Sequence, residues 1–330
     1  MMDFLSSHLF RESPRQRRAL PHRQAPSSAK EFLPLAVCWM LRVTTVIVLP
    51  AVTTSNLLAE AESVGESVNA LQDKSRYHLF NPTPVGRMRE MSTDRPDKTE
   101  SPYTVDAGHL QLEMDLANFT LESEDGVRTR TWNIAPVNLK VGLLNNADLQ
   151  VVFDSYLHEQ VDDQAAQTRE TTSGVGDVNV RLKMNLWGND GGLTSFAMMP
   201  FVKVPTHSRG LGNDAVEGGV IFPLAVALPG NWDMGLMTEF DFLRNEAGSG
   251  DHTEFINMIT FGHDIVGKLA GYVEFFSSVS TERQSRWVGT VDLGLTYGLT
   301  ENIQLDAGCN IGVTRSADDV QPFVGLSVRF

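Results

Sequence analysis

The chain is poor in cysteine, in base and in long apolar runs. Two cysteines, Cys38 and Cys309, in 330 residues can build neither a disulfide framework nor a cysteine-rich zinc module. Against 41 Asp and Glu stand 27 Lys and Arg, a formal charge of −14, which argues against a nucleic-acid partner. Beyond residue 61 there is no run of about 18 apolar residues, so no helix of that region can span a bilayer. The 42% hydrophobic content suits an average water-soluble protein. It suits a membrane β-barrel equally well, because there each lipid-facing residue is followed by a polar one.

What is present begins with a leader. Residues 1–34 carry Arg11, Arg15, Arg17, Arg18, Arg23 and Lys30, and Leu35 to Val52 is apolar except for Arg42. The pattern predicts an export signal over 1–61. The basic stretch is long for such a signal. Initiation at Met40 would give a shorter one, with Val43 to Val52 as its apolar part and Ala59-Glu60-Ala61 as its cleavage site. Cys38 precedes the apolar run, the wrong place for a lipidation motif. Residues 1–61 hold seven basic and four acidic side chains, so their removal leaves 20 against 37 and a charge of −17. Residues 62–102 form a polar extension without strand alternation, broken by Asn81-Pro82-Thr83-Pro84 and Asp94-Arg95-Pro96-Asp97. It is either an unfolded periplasmic tail or a segment that plugs a barrel lumen.

From residue 103 to 330 the period is two. Leu110, Leu112, Met114 and Leu116 alternate with Gln111, Glu113 and Asp115, and Val178, Val180, Leu182, Met184 and Leu186 with Asn179, Arg181, Lys183 and Asn185. A helix would scatter both sets. Strands are predicted at 104–119, 129–143, 146–157, 174–187, 193–205, 216–228, 231–243, 253–263, 268–280, 285–298, 302–314 and 319–330. The second changes phase at Pro136, which suggests a bulge. The eighth does not choose a face, since Phe255, Ile256, Met258, Ile259 and Phe261 fall on both.

Connections alternate between long polar loops (121–128, 158–173, 206–215, 244–252, 281–284, 315–318) and short turns (144–146, 188–192, 229–230, 264–267, 300–301). Bacterial outer-membrane barrels distribute external loops and periplasmic turns in this way. Trp132, Tyr156, Trp187, Trp232, Phe242, Trp287, Tyr297 and Phe330 fall near proposed strand ends, where amphipathic rings favour the membrane interface. The predicted fold is therefore all-β: a transmembrane antiparallel β-barrel of about twelve strands, in contact with outer-membrane lipid. The last strand alternates from Val320 to a terminal Phe330, an ending of the kind by which the barrel-assembly machinery recognises its clients.

The stretch Ser92-Thr93-Asp94-Arg95-Pro96-Asp97-Lys98-Thr99-Glu100-Ser101-Pro102-Tyr103, with Thr104 to Glu113 after it, resembles the opening of the outer-membrane protein family named for the meta-cleavage pathway of phenol degradation. Asn138 to Leu143, Lys203-Val204-Pro205-Thr206, Val273-Glu274, Asp292-Leu293-Gly294 and Asp306-Ala307-Gly308 continue the similarity, which covers about residues 92–330. The resemblance implies a channel or transporter for small, often aromatic, organic compounds.

The faces opposite the apolar ones would line a lumen. They carry Glu113, Asp115, Asp148, Asp154, Asp177, Glu217, Asp233, Glu239, Asp241, Glu274, Asp292 and Asp306, against Lys140, Arg181, Lys183, Lys203 and Arg329. An excess of acid on a low-dielectric wall predicts a cation-leaning pore; the alternative is that these charges pair across strands and fill the barrel. Of all these residues, Glu274 is the first to mutate. A barrel phospholipase would need a serine, a histidine and an orienting group on the outside. His109, His207, His263, Ser155 and Ser277 form no such local motif, and no metal, nucleotide or cofactor signature is found. The expectation is a non-enzymatic channel or facilitated transporter with a small-molecule permeant. The alternatives are a structural or surface-interaction barrel without transport, its acidic loop 158–173 contacting partners or divalent ions, and a soluble exported β-sandwich.

Overall fold

The computed structural model describes residues 73–245 and 248–330; the export signal over 1–61, the start at Met40 and residues 62–72 lie outside the described residues. Fifteen strands follow in chain order: β1 (Leu110–Glu124), β2 (Val127–Ile134), β3 (Val137–Leu144), β4 (Ala147–Phe153), β5 (Tyr156–Asp163), β6 (Thr168–Gly174), β7 (Val178–Trp187), β8 (Thr194–Val204), β9 (Glu217–Leu228), β10 (Trp232–Arg244), β11 (Asp251–Val266), β12 (Leu269–Ser280), β13 (Val288–Gly298), β14 (Ile303–Gly312) and β15 (Val320–Arg329). All pairings are antiparallel, and β15 returns to β1 with Leu112 opposite Val328 and Leu121 opposite Val320. Closure leaves no open sheet edge in lipid, which backbone polar groups there require.

Three long strands are each interrupted at one level, between β2 and β3, β4 and β5, and β6 and β7. On the short-turn side the wall runs β1-β3-β4-β7; on the other side it runs β1-β2-β5-β6. With each interrupted pair counted once, the barrel has twelve strands. The first break falls at Ala135-Pro136, where Ala135 is left-handed (φ 53°) and the proline has no N–H for the ladder. In the second, Asp154 accepts a 2.5 Å hydrogen bond from Asn133 Nδ2. In the third, a Cβ on Gly176 would lie 2.3 Å from Asp154 Oδ2, so the close approach needs glycine.

Four expectations need correction. The first strand begins at Leu110 and runs to Glu124, not 104–119; Thr104, Val105, Asp106 and Ala107 are all buried and belong to a segment inside the barrel. The 121–128 loop is a hairpin tip in which Asp125 and Gly126 (φ 46° and 86°) supply the left-handed pair of a tight turn. The 158–173 loop is the β5–β6 hairpin, polar on both faces because both are wet. The eighth predicted strand is the longest, β11: Ile256 and Met258 are buried inside while Phe255 and Ile259 face out, so both faces are apolar for different reasons.

All eight interface aromatics are on the outside, 45–68% exposed. Trp187, Trp232, Tyr297 and Phe330 lie on the side of the short turns; Trp132, Tyr156, Phe242 and Trp287 lie on the opposite side. Inside, the chain before β1 crosses the bore, with Asp94, Arg95, Lys98, Thr99, Glu100, Thr104 and Asp106 buried.

Candidate permeation path

Alternation sends every second side chain of each strand inward. On β1, β3, β4, β7, β13 and β14 those residues are mostly charged or amide side chains, and the inserted segment meets them one by one. Asp94 binds Lys183 at 2.5 Å and also Lys140, whose ammonium contacts Glu113 as well; Glu113 accepts the Asp94 backbone N–H at 3.1 Å. Arg95 holds Asp115 (2.5 Å) with one nitrogen and Asp306 (2.7 and 3.2 Å) with two others. A Cβ on Gly325 would lie 2.0 Å from the Arg95 guanidinium, so the side chain can lie against β15 only because a glycine is there. Lys98 reaches Asp292 at 3.0 Å and the Phe276 ring at 4.6 Å.

Glu274 receives the backbone N–H groups of Lys98 (2.9 Å) and Thr99 (2.8 Å), and the hydroxyls of Thr99 and Thr260, both at 2.6 Å. Glu100 pairs with Arg181 at 2.7 Å. Asp148 accepts from Val105 N at 2.9 Å, and Asn185 donates to Pro102 O at 2.9 Å. A Cβ on Gly142 would lie 2.1 Å from the Asp106 carbonyl, so the segment touches the β3 backbone itself.

Nine of the predicted lumen residues (Glu113, Asp115, Lys140, Asp148, Arg181, Lys183, Glu274, Asp292 and Asp306) are thus gathered around one segment. Two are not. Lys203 sits at the long-loop mouth with Glu217 (2.8 Å) and Asp177 (3.3 Å). Glu239 faces the bore beside Asp241, on the same face of β10. Sequence reasoning did not identify Asp94, Arg95, Lys98 and Glu100 as partners of the wall, because the pairs join positions about 20 to 210 residues apart. It also missed the inward apolar strip of Met199, Phe201, Ile221, Met237, Leu243, Ile256, Met258 and Phe276 on β8–β12. The signal for that strip was the indecision of the eighth predicted strand.

The three histidines singled out from the sequence are held in structural contacts. His109 bridges the Thr83 and Phe330 carbonyls, His207 binds Asp177, and His263 packs on Trp232 with ring centroids 4.6 Å apart. Cys309 lies on the outer face of β14 as a small apolar residue.

Among curated proteins no match is found. Among solved structures, an outer membrane channel from Pseudomonas putida F1 covers 72% of this chain with 100% of its own, at TM-score 0.52 and 12% identity. The translocator domain of the autotransporter NalP from Neisseria meningitidis (TM-score 0.44, 11% identity, 83% and 97% covered) and the P. putida toluene transporter TodX (0.35, 10%, 67% and 87%) also match. The fold shared with the first of these, the closed barrel and its two aromatic girdles make this protein a bacterial outer-membrane β-barrel. Over residues 93–330 it matches, and therefore belongs to, the family described as "Putative MetA-pathway of phenol degradation".

Proposed function

We propose that the barrel is a passive channel or facilitated transporter for small organic molecules, aromatic compounds in particular, and that it is not an enzyme. The observation that carries this reading is the inward strip on β8–β12, where Phe201, Ile221, Ile256 and Phe276 form a buried apolar cluster on the inner face, under the inserted segment, in place of the polar residues found on the rest of the wall. Such a strip lowers the cost of moving an uncharged ring through an otherwise charged passage. The family's description points to the same class of compound.

In this reading the segment over residues 92–106 is a plug that narrows the bore, and Glu239, Glu274 and the other lumen acids favour cations among charged permeants. Phe330 ends the strand that the assembly machinery would read. Liposome swelling with phenol-sized and sugar-sized solutes, together with uptake by a deletion strain over aromatics and fatty acids, tests the reading. Faster entry of aromatics supports it; an impermeable barrel refutes it. A bilayer reversal potential under a salt gradient that shows anion preference would remove the charge-selectivity part alone.

One observation favours a surface-interaction role instead. The β5–β6 hairpin is an ordered projection, held by Asp162 between Arg130 (2.8 Å) and Arg169 (2.5 Å). An impermeable barrel would leave that role standing.

A further inference from the structure

The outer wall carries a polar row where lipid should meet only apolar side chains. Register places Thr238 of β10 opposite Asn257 of β11, and Asn257 opposite Ser277 of β12. The inward neighbours Met237, Ile256, Met258, Phe276 and Ser278 are buried, so all three face out. Thr238 Oγ1 donates to Asn257 Oδ1 at 3.0 Å, and Trp287 Nε1 donates to Ser277 Oγ at 2.9 Å. The Asn257 amide nitrogen, with two N–H groups, donates to no acceptor among the described residues. Beside the row is a cavity of about 520 Å³, lined chiefly by Phe196, Phe222, Leu224, Leu236, Ile259 and Phe275.

An unsatisfied amide in hydrocarbon is costly, and at this position any aliphatic residue would serve a barrel wall better. Depth narrows the choice of partner. Trp287 marks the interface on the long-loop side, which is external, and its indole binds Ser277 directly. Adjacent strands are about 4.8 Å apart, so Asn257 lies within a few ångströms of the level of Ser277. That is where the carbonyls and hydroxyls of an acylated lipid lie, just below its headgroup.

We propose that this groove binds an outer-leaflet glycolipid: one acyl chain lies in the Phe196–Phe222–Phe275 cavity, and an ester or amide carbonyl of the lipid accepts from Asn257 Nδ2. The external position selects the glycolipid of the outer leaflet over the phospholipid of the inner one. The row binds and does not hydrolyse. Ser277 Oγ is engaged by Trp287, and among the described residues no histidine hydrogen-bonds it, so it has no base to activate it.

The test is native mass spectrometry of the full barrel in mild detergent, titrated with purified lipid A, for the wild type, Asn257→Leu and Leu224→Trp. The first variant removes the donors at similar volume; the second fills the cavity. The wild type is expected to retain one lipid A at sub-saturating concentration. Asn257→Leu should lower occupancy about five- to tenfold, the factor appropriate to one hydrogen bond, and Leu224→Trp should abolish it. Heat-modifiable migration checks that each variant is folded. Equal occupancy in wild type and Asn257→Leu would overturn the proposal. So would binding of a diacyl phosphatidylethanolamine as tightly as lipid A, or recovery of a small aromatic compound in the groove in place of lipid.

Discussion

Arg95 shows how much of the interior depends on single side chains. Its guanidinium is the charge between Asp115 and Asp306, on opposite sides of the β1–β15 seam, and all three are buried. Removing one partner of a buried ion pair typically costs about 3–5 kcal/mol, because the other charge stays behind without compensation. Here the cost falls on docking of the segment and not on the barrel ladder, which Arg95 does not join. Arg95→Gln is therefore expected to leave barrel melting unchanged while raising single-channel conductance severalfold, as the segment spends more time displaced. Conductance equal to the wild type would show that the other ion pairs suffice. The same residue marks a limit of sequence reading. Asp94-Arg95-Pro96-Asp97 looks like a polar breaker, and nothing local says that its charges match a wall whose nearest partner is 19 residues on and whose farthest is 211.

At the scale of elements, the turn between β7 and β8 ties down the start of the segment. Asp190 binds Lys74 at 2.7 Å and Arg89 at 3.0 Å. Partial burial pushes its carboxyl pKa up, but hydrogen bonds from Lys74 and Asn145 and the charges of Arg89 and Lys74 outweigh that and hold it below the ordinary carboxylate value. A depressed folded pKa means that the tether is at full strength above the unfolded value, about 4, and is lost as the pH falls through the lower folded value. A nitroxide at exposed Gly86, where a side chain meets nothing within 4 Å, reports this tether. Its mobility should rise as the pH drops from 5 towards 3, and Asp190→Asn should show the mobile spectrum already at pH 7. A wild-type spectrum from that variant would assign the tether to other residues. The strands themselves were largely legible, because period two depends on neighbours alone. The β5–β6 hairpin was not, since a strand wet on both faces has no apolar alternation to show.

At the scale of the whole molecule, closure decides the physical behaviour. With β15 paired to β1 the wall closes on itself and only the projecting β5–β6 hairpin has a free edge, at β6, so the barrel should stay folded in cold SDS and migrate faster than after boiling. Identical migration with and without heating would contradict a closed barrel. Charge is organised at this scale too. The acid excess of the sequence is distributed over the bore, where Arg95 and Lys98 neutralise part of it, and over the outer hairpins.

By itself, the sequence determined the class of fold, the strands from β7 onward to within a few residues, the end of the barrel at which each turn from β7 onward lies, and the inward position of Glu113, Lys140, Arg181, Lys183, Glu274, Asp292 and Asp306. Each of these follows from alternation, turn chemistry or aromatic placement, properties of residues a few positions apart. Only the tertiary structure decided that residues 92–106 occupy the bore, that β8–β12 present an apolar strip to it, and that Thr238, Asn257 and Ser277 align on the outer wall. Those depend on register between strands and on contacts across the lumen, and such pairings are set by the closed geometry of the barrel, not by any local pattern in the chain.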